Sequence, residues 1–236
     1  MNINEYLRIN DKDEKPLETL LESGGFSAIF RSIGCIGDSL SSGELEAVQE
    51  DGKTAYYDYF EYSWGQFIAR ANGALVHNFS RGGMTAQEYC DSFAESKGFW
   101  NPDLAAQAYI FALGVNDVTR AHNAAPDKPV YLGNPETDID LNDWRQDAYD
   151  LHRELLYRLA EIFEYTYVID LREHAPIYDA DFRSKFFLSG HLNTMGYLLT
   201  ARFVMTYIDY IIRHNMDDFM QAGFIGKGVH NVKYKW

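Results

Sequence analysis

One stretch of the chain decides the predicted fold: Ile33-Gly34-Cys35-Ile36-Gly37-Asp38-Ser39-Leu40-Ser41-Ser42-Gly43. Its first part is a short apolar run, which predicts a buried strand. The strand ends at a glycine, and Ser39 follows almost at once. A helix beginning at this point would place Ser39 at its N-terminus, where free backbone N–H groups favour developing negative charge. The stretch therefore makes Ser39 a candidate nucleophile.

Length and charge bound the class of protein. A chain of 236 residues is long enough for one full core. We therefore predict a single domain over 1–236, with a helical preface at 1–30 and a C-terminal tail at 216–236 whose role is not assigned. The net charge of −14 argues against nucleic acid or an anionic membrane as partner, since both would repel it.

The sequence gives no reason to expect a membrane or secretory location. The most apolar later stretch, 195–212, is interrupted by polar and charged residues and does not predict a membrane span. No signal peptide is visible at the N-terminus, so a cytoplasmic location is the default expectation. Cys35 lies inside an apolar run and is expected to be a small buried side chain.

Further apolar runs predict three more strands, at 74–79, 108–113 and 165–170. Helices are predicted up to Asn72-Gly73, near 85–97, over 141–162, and from a cap at Asn193 or Thr194 to about residue 213. Prolines and glycines within 120–140 predict a loop. Continuous apolar strands that alternate with helices predict an α/β fold with a parallel sheet covered on both faces.

Candidate site residues follow three of these strands. Binding and catalytic sites of parallel sheets lie at the carboxyl ends of the strands, where Ser39, Gly83 and Asn116 are placed. Acyl transfer needs a nucleophile, a base and donors to the oxyanion. Ser39 offers the hydroxyl, while its own N–H, the N–H of Gly83 and the amide of Asn116 could form an oxyanion hole. His191, on a loop just before a helix, could be the base.

The other histidines have simpler interpretations. The chain has seven, so one histidine alone is weak support for a base. His77 in a strand and His152 on a helix are expected to be structural, and His122 lies beside the expected cleft. Asp38 and Asp117, which flank the candidate residues, are expected to hold loops through backbone hydrogen bonds.

Four blocks of the sequence resemble the SGNH, or GDSL-type, hydrolases. Residues 37–40 are similar to the first block of that family, 78–85 to its glycine block, 114–117 to its Gly-x-Asn-Asp block, and His191 to its C-terminal histidine block. The blocks occur in the family's order across 34–200.

The resemblance implies a flavodoxin-like three-layer α/β/α sandwich with a central, mostly parallel sheet. It also implies an esterase or acylhydrolase that acts without a cofactor on small O-acyl esters, of which an acetylated carbohydrate could be one. The implied roles are Ser39 as nucleophile, His191 as base, and Ser39, Gly83 and Asn116 as the oxyanion hole. Separately, the sequence has no His-Glu-x-x-His motif or cysteine cluster that would indicate a metal site.

The sequence departs from the family at Leu188, where an aspartate three residues before the histidine normally orients the imidazole. Three interpretations stay open. A backbone carbonyl of the turn at 187–189 could hold the ring, or a carboxylate from elsewhere, such as Asp179 or Asp181, could replace the missing group. The protein could also be a weakly active or inactive relative that only binds a ligand.

Other features leave alternatives of their own. The aromatic run at 56–64 and the loop at 120–140 could line a sugar or acyl pocket. Aromatic residues more often belong to the core or to a subunit contact, as in a homo-oligomer, and we favour that interpretation of the run. A flavodoxin-like nucleotide or phosphate binder is a further alternative, although the loop after the first strand offers few donors for a phosphate.

Overall fold

The computed structural model describes residues 13–124 and 144–223, which form a mixed α/β structure. Its strands within these ranges are β1 (Ser32–Gly37), β2 (Glu44–Val48), β3 (Thr54–Asp58), β4 (Leu75–Ser80) and β5 (Ala108–Ala112). β1 lies between β4 and β5, and both pairings are parallel. β2 and β3 form a separate antiparallel hairpin.

The α-helices of the described ranges are α1 (Ser39–Ser42), α2 (Trp64–Asn72), α3 (Ala86–Glu88), α4 (Ala94–Ser96), α5 (Val115–Ala124), α6 (Trp144–Ile162), α7 (Leu171–His174), α8 (Ala180–Phe186) and α9 (Thr194–His214). A π-helical turn, Tyr89–Phe93, joins α3 to α4. Short 3-10 helices occur at Gly25–Ile29, Phe60–Tyr62, Pro102–Leu104 and Met216–Phe219.

β1 is the centre of the core, and every one of its residues is buried. Ile33 and Cys35 pack with apolar residues of α2 and α9. Ile36 packs on the other side, with Phe79 and the helical segment from α3 to α4. The helices on both sides of β1 confirm the α/β prediction, and Cys35 is fully buried as expected.

One predicted element is wrong, and another is described only in part. Residues 13–30 of the predicted preface contain turns and the 3-10 helix Gly25–Ile29, whereas residues 1–12 lie outside the described residues. Residues 165–170, predicted as a strand, pair with neither sheet. Ile169 instead packs against the main core cluster, and Asp170 caps α7 by accepting a hydrogen bond from the Glu173 N–H. The side chain of Ile169 is thus partly buried by packing against the core without any pairing of this segment in a sheet.

The remaining boundaries are close to the predicted ones, with some exceptions. α5 covers the first residues of the predicted 120–140 loop, and the rest of that loop lies outside the described residues. Leu141, predicted as the start of the helix over 141–162, also lies outside them. β5 is largely exposed, with Phe111 61% exposed, so it is not covered on both faces in the part of the chain described. The same part of the chain contains no helix long and apolar enough to cross a bilayer.

Asn193 is the N-cap of α9, which carries much of the core. Its Oδ1 accepts from the Gly196 N–H at 2.9 Å, and its Nδ2 donates to the Lys185 carbonyl at 2.8 Å. Asn193→Ala removes both bonds, and we expect the free energy of unfolding to fall by about 1–2 kcal/mol. Urea denaturation of the two proteins measures this loss, and an unchanged midpoint would contradict the assigned cap.

Candidate active site

Ser39 is the first residue of α1, directly after the carboxyl end of β1. Asp38 is the N-cap of this helix, and its Oδ1 accepts a hydrogen bond from the Leu40 N–H at 3.0 Å. The Ser39 side chain is partly exposed. Its carbonyl accepts from the Tyr197 hydroxyl at 3.3 Å, which connects the turn to α9. The loop-holding role predicted for Asp38 is confirmed.

The side chain of Asn116, which follows β5, connects the end of β5 to the loop after β4 and to the N-cap of α1. Its Nδ2 lies 3.3 Å from Asp38 Oδ2 and 3.1 Å from the Met84 carbonyl, and it donates to both. Next to it, both carboxylate oxygens of Asp117 accept from the Ala86 N–H, at 3.0 and 2.9 Å. Asp117 therefore also has the predicted structural role. An oxyanion bound by Asn116 would have to replace one of its two present acceptors.

Gly83 lies in the loop between β4 and α3. Its φ is 71°, and apart from its chain neighbours no heavy atom lies within 4 Å of the position a Cβ would occupy. The loop therefore borders open space at this residue. The neighbouring Arg81 N–H donates to the Gly37 carbonyl at 3.2 Å, which holds the loop beside the end of β1.

His191 is held by a carboxylate that the sequence analysis did not single out. One oxygen of Glu46, Oε1, lies 2.7 Å from His191 Nδ1. The same oxygen accepts from the backbone N–H groups of Gly190 and His191, each at 2.9 Å. Burial tends to raise the pKa of Glu46, but these hydrogen bonds outweigh it and hold the pKa below its usual value. Glu46 is therefore ionised at neutral pH and fixes the imidazole with its proton on Nδ1.

None of the groups suggested by sequence takes this place. Asp179 Oδ1 accepts from the Phe182 N–H at 2.8 Å and caps α8. Asp181 pairs with Lys185 at 2.6 Å. In the turn at 187–189, the Leu188 N–H donates to the His191 carbonyl at 2.9 Å, while the ring Nδ1 contacts Glu46.

The other ring nitrogen of His191 faces a second carboxylate. Nε2 lies 3.0 Å from Glu44 Oε1. Among the side-chain hydrogen bonds of the described residues, none joins Ser39 to His191. Burial, followed by the nearby charges of Asp58, Glu46 and Asp38, raises the pKa of Glu44, although the imidazole opposes this shift. Glu44 lies against both His191 Nε2 and Gly82, so its side chain connects His191 to the loop that carries Gly83, and the charge of His191 acts on Asp38 beside Ser39.

These carboxylates share one face of the β2–β3 hairpin. Glu44 and Glu46 are two residues apart on a strand, so their side chains point to the same face. Their cross-strand partners are Asp58 and Tyr56. The Tyr56 ring meets the His191 ring edge-on, with the centroids 5.7 Å apart. Two like charges in direct register destabilise a hairpin. Glu44 and Asp58 form such a pair, so this face of the hairpin does not stabilise the fold through its charges.

The rest of the aromatic run is divided between the core and the surface. Trp64 is buried in the main core, and Phe60 packs against it. The exposed members of the run are Tyr56, Tyr57, Tyr59 and Tyr62. The core interpretation therefore holds for only part of this run.

The Asp38 carboxyl is buried, with the residue only 2% exposed. Desolvation raises its pKa from 3.8 to about 6, against the opposing effects of the Leu40 N–H and of His191. The folded state therefore binds this proton more tightly than the unfolded chain does. Its contribution to stability is fully present below about pH 4 and is lost as the pH rises through about 6.

Asp38→Asn is expected to remove this pH-dependent component of stability. A pKa difference of roughly two units corresponds to at most about 3 kcal/mol. Urea unfolding at pH 4 and pH 7 should show a larger fall in the free energy of unfolding for the wild type than for Asp38→Asn. Asp103→Asn, on an exposed 3-10 turn, is the matched control and should behave as the wild type. Equal pH dependence in all three proteins would contradict the burial effect.

No group of three or more histidine, cysteine, aspartate or glutamate side chains in the described ranges has an arrangement suited to a metal ion. His152, interpreted as structural, packs over Gly114 at the end of β5, where burial lowers the pKa of the imidazole. The candidate site brings together a hydroxyl, an imidazole, carboxylates and amide donors.

The chain was compared with protein-family models, with curated proteins and with solved structures, and none of them matches it.

Proposed function

We propose that this chain is a serine ester hydrolase of the SGNH type, in which Ser39, His191 and Glu46 act as nucleophile, base and orienting acid. The observation that carries the proposal is the contact between Glu46 Oε1 and His191 Nδ1 at 2.7 Å. A carboxylate on Nδ1 sets the imidazole tautomer and stabilises the imidazolium that forms during acyl transfer. Glu46 thereby supplies the function that Leu188, in the position of the family's aspartate, lacks.

The reaction proceeds in two steps. Ser39 Oγ attacks the ester carbonyl and its proton passes to His191 Nε2, which then gives the proton to the leaving alcohol. The N–H groups of Ser39 and Gly83 and the amide of Asn116 stabilise the oxyanion. A water molecule, deprotonated by His191, then releases the acid and regenerates Ser39. For this role Asn116 exchanges its bond to Asp38 or Met84 for a bond to the oxyanion.

The placement of these groups supports a sandwich fold of the kind that the resemblance implies. Helices lie on both faces of β1, and Ser39, Gly83 and Asn116 follow three adjacent parallel strands. We propose the flavodoxin-like three-layer α/β/α arrangement on that basis.

We propose a small, uncharged O-acyl ester as substrate. The carboxylates of Asp58, Glu46 and Asp38 and the imidazole of His191 surround Glu44. This surplus of negative charge disfavours an anionic acyl group, because like charges at close range repel. An acetylated carbohydrate satisfies this condition and agrees with the resemblance.

One observation favours a second candidate, a ligand-binding protein with little or no catalytic activity. In the structure His191 Nε2 contacts Glu44 Oε1 and makes no hydrogen bond to Ser39 within the described residues. The 2.7 Å contact between Glu46 and His191 Nδ1 favours the enzyme over this alternative. A charged partner on the imidazole assists acyl transfer, whereas the binding of a ligand does not require one.

Hydrolysis of p-nitrophenyl acetate, butyrate and octanoate tests the proposal. We expect turnover above the buffer rate, highest for acetate and lowest for octanoate. Rates equal to buffer alone for all three esters would favour the ligand-binding protein over the esterase.

A further inference from the structure

The Glu44 carboxylate fills the space between the proposed base and the loop of the proposed oxyanion donor. Its Oε1 lies 3.0 Å from His191 Nε2. Its Oε2 lies against Gly82, where an added Cβ would be only 2.2 Å away. A larger residue at position 82 would therefore displace the carboxylate from its present place. An ester attacked by Ser39 under the action of His191 and Gly83 has to enter this same region.

The contact of Glu44 with His191 requires a proton. Glu46 accepts from Nδ1, so a neutral imidazole presents a lone pair at Nε2. A lone pair and a carboxylate oxygen at 3.0 Å repel each other unless a proton lies between them. While that proton is on Nε2 or shared with Glu44, the nitrogen cannot accept the proton of Ser39.

We propose that Glu44 is a positioning residue that, before substrate binds, keeps His191 Nε2 protonated and directed toward the Glu44 carboxylate. Attack by Ser39 then follows two events. The shared proton leaves to solvent, and the Glu44 carboxylate withdraws to make room for the ester. This inference rests on the proposed esterase function and adds a step that precedes it.

The charged surroundings of Glu44 favour this arrangement. Asp58 faces it from β3, Glu46 lies on the same face of β2, Asp38 lies at the start of α1, and His191 lies on the loop before α9. Three carboxylates disfavour a further isolated negative charge and so favour the retained proton. Tyr197 of α9 donates at 2.7 Å to the backbone carbonyl of Glu44, which fixes the strand at this residue without engaging the carboxylate.

Neutralising Glu44 should free the base at lower pH. For Glu44→Gln and Glu44→Ala, we expect the acidic limb of the kcat/KM profile for p-nitrophenyl acetate to move down by about one pH unit. On that limb the variants should be about tenfold faster than the wild type. Glu50→Gln, an exposed charge beyond the end of β2, is the matched control and should leave the profile unchanged. An acidic limb at the wild-type pH in both Glu44 variants would overturn the inference while leaving the esterase intact.

The second measurement does not depend on activity. The imidazole nitrogens of His191, assigned by their loss in His191→Ala, are compared by nitrogen NMR under identical conditions in the wild type and in Glu44→Gln. The Nε2 resonance should be that of a protonated nitrogen in the wild type and should move toward that of an unprotonated nitrogen in the variant, and identical resonances would overturn the inference even if no ester is hydrolysed. A changed Nε2 resonance without any hydrolysis would refute the proposed esterase and leave the Glu44–His191 contact confirmed.

Discussion

Ser39→Ala and His191→Ala are each expected to lower kcat for p-nitrophenyl acetate by at least about 1,000-fold. Ser39 provides the only proposed nucleophile, and without His191 no group accepts its proton. The two losses should not add in the double variant, because the residues act as one unit. Steady-state rates of the two single variants and the double variant measure both effects.

Ser92→Ala is the control for the serine substitution. Ser92 is an exposed serine in the π-helical turn Tyr89–Phe93, so its loss should leave kcat unchanged. If Ser39→Ala kept the wild-type rate, the hydroxyl of Ser39 would have no part in the reaction. Additive losses in the double variant would instead show that Ser39 and His191 act separately.

Glu46→Gln is expected to lower kcat by about 1,000-fold with KM little changed. Glutamine has nearly the shape of glutamate, but it has no charge to stabilise the imidazolium and it can present an N–H to Nδ1. The effect should therefore fall on the transition state rather than on substrate binding. Separate measurement of kcat and KM distinguishes this loss from a general disturbance of the site.

A matched pair of variants isolates the role of Glu46. Glu46→Asp retains the charge and should recover part of kcat, whereas Glu50→Gln removes a glutamate charge outside the site and should have no effect. A Glu46→Gln protein with wild-type kcat would show that the contact to Nδ1 is structural only. A group other than Glu46 would then have to orient His191 for catalysis.

The sequence predicted the elements that short-range patterns determine. β1, β4 and β5 are short apolar runs that end in glycine or polar residues, and such runs specify strands locally. The meeting of Asp38, Met84 and Asn116 at one edge of the sheet then follows from the parallel arrangement. The capping of α9 by Asn193 was also predictable, because asparagine is a common N-cap.

The orienting carboxylate could not be predicted in the same way. Glu46 and His191 are 145 residues apart, and only the folded hairpin brings them together. A local signal for that hairpin was present and was missed. Asp51-Gly52 is a favoured hairpin turn, Gly52 has a φ of 80°, and the strands pair on either side of it. With the hairpin predicted, the shared face of Glu44 and Glu46 would have followed from strand alternation.

The wrong fourth strand has a different cause. A short run rich in aromatic and β-branched residues is compatible with a packed loop as well as with a strand. Only a neighbouring strand with which it can pair distinguishes the two. Residues 165–170 have no such pairing, and Asp170 is bound by Arg153 at 2.5 Å and by the Tyr157 hydroxyl at 2.8 Å. These contacts come from α6, and neither partner is evident from the run itself.

Covalent labelling of Ser39 tests the central claim most directly. The wild type and Ser39→Ala are incubated with a fluorophosphonate, and the mass of each intact protein is measured, followed by mapping of the labelled peptide. We predict one phosphonyl adduct on the wild type, located on Ser39, and none on Ser39→Ala. Equal labelling of the two proteins, or hydrolysis of p-nitrophenyl acetate by a wild type that takes up no label, would contradict Ser39 as the nucleophile.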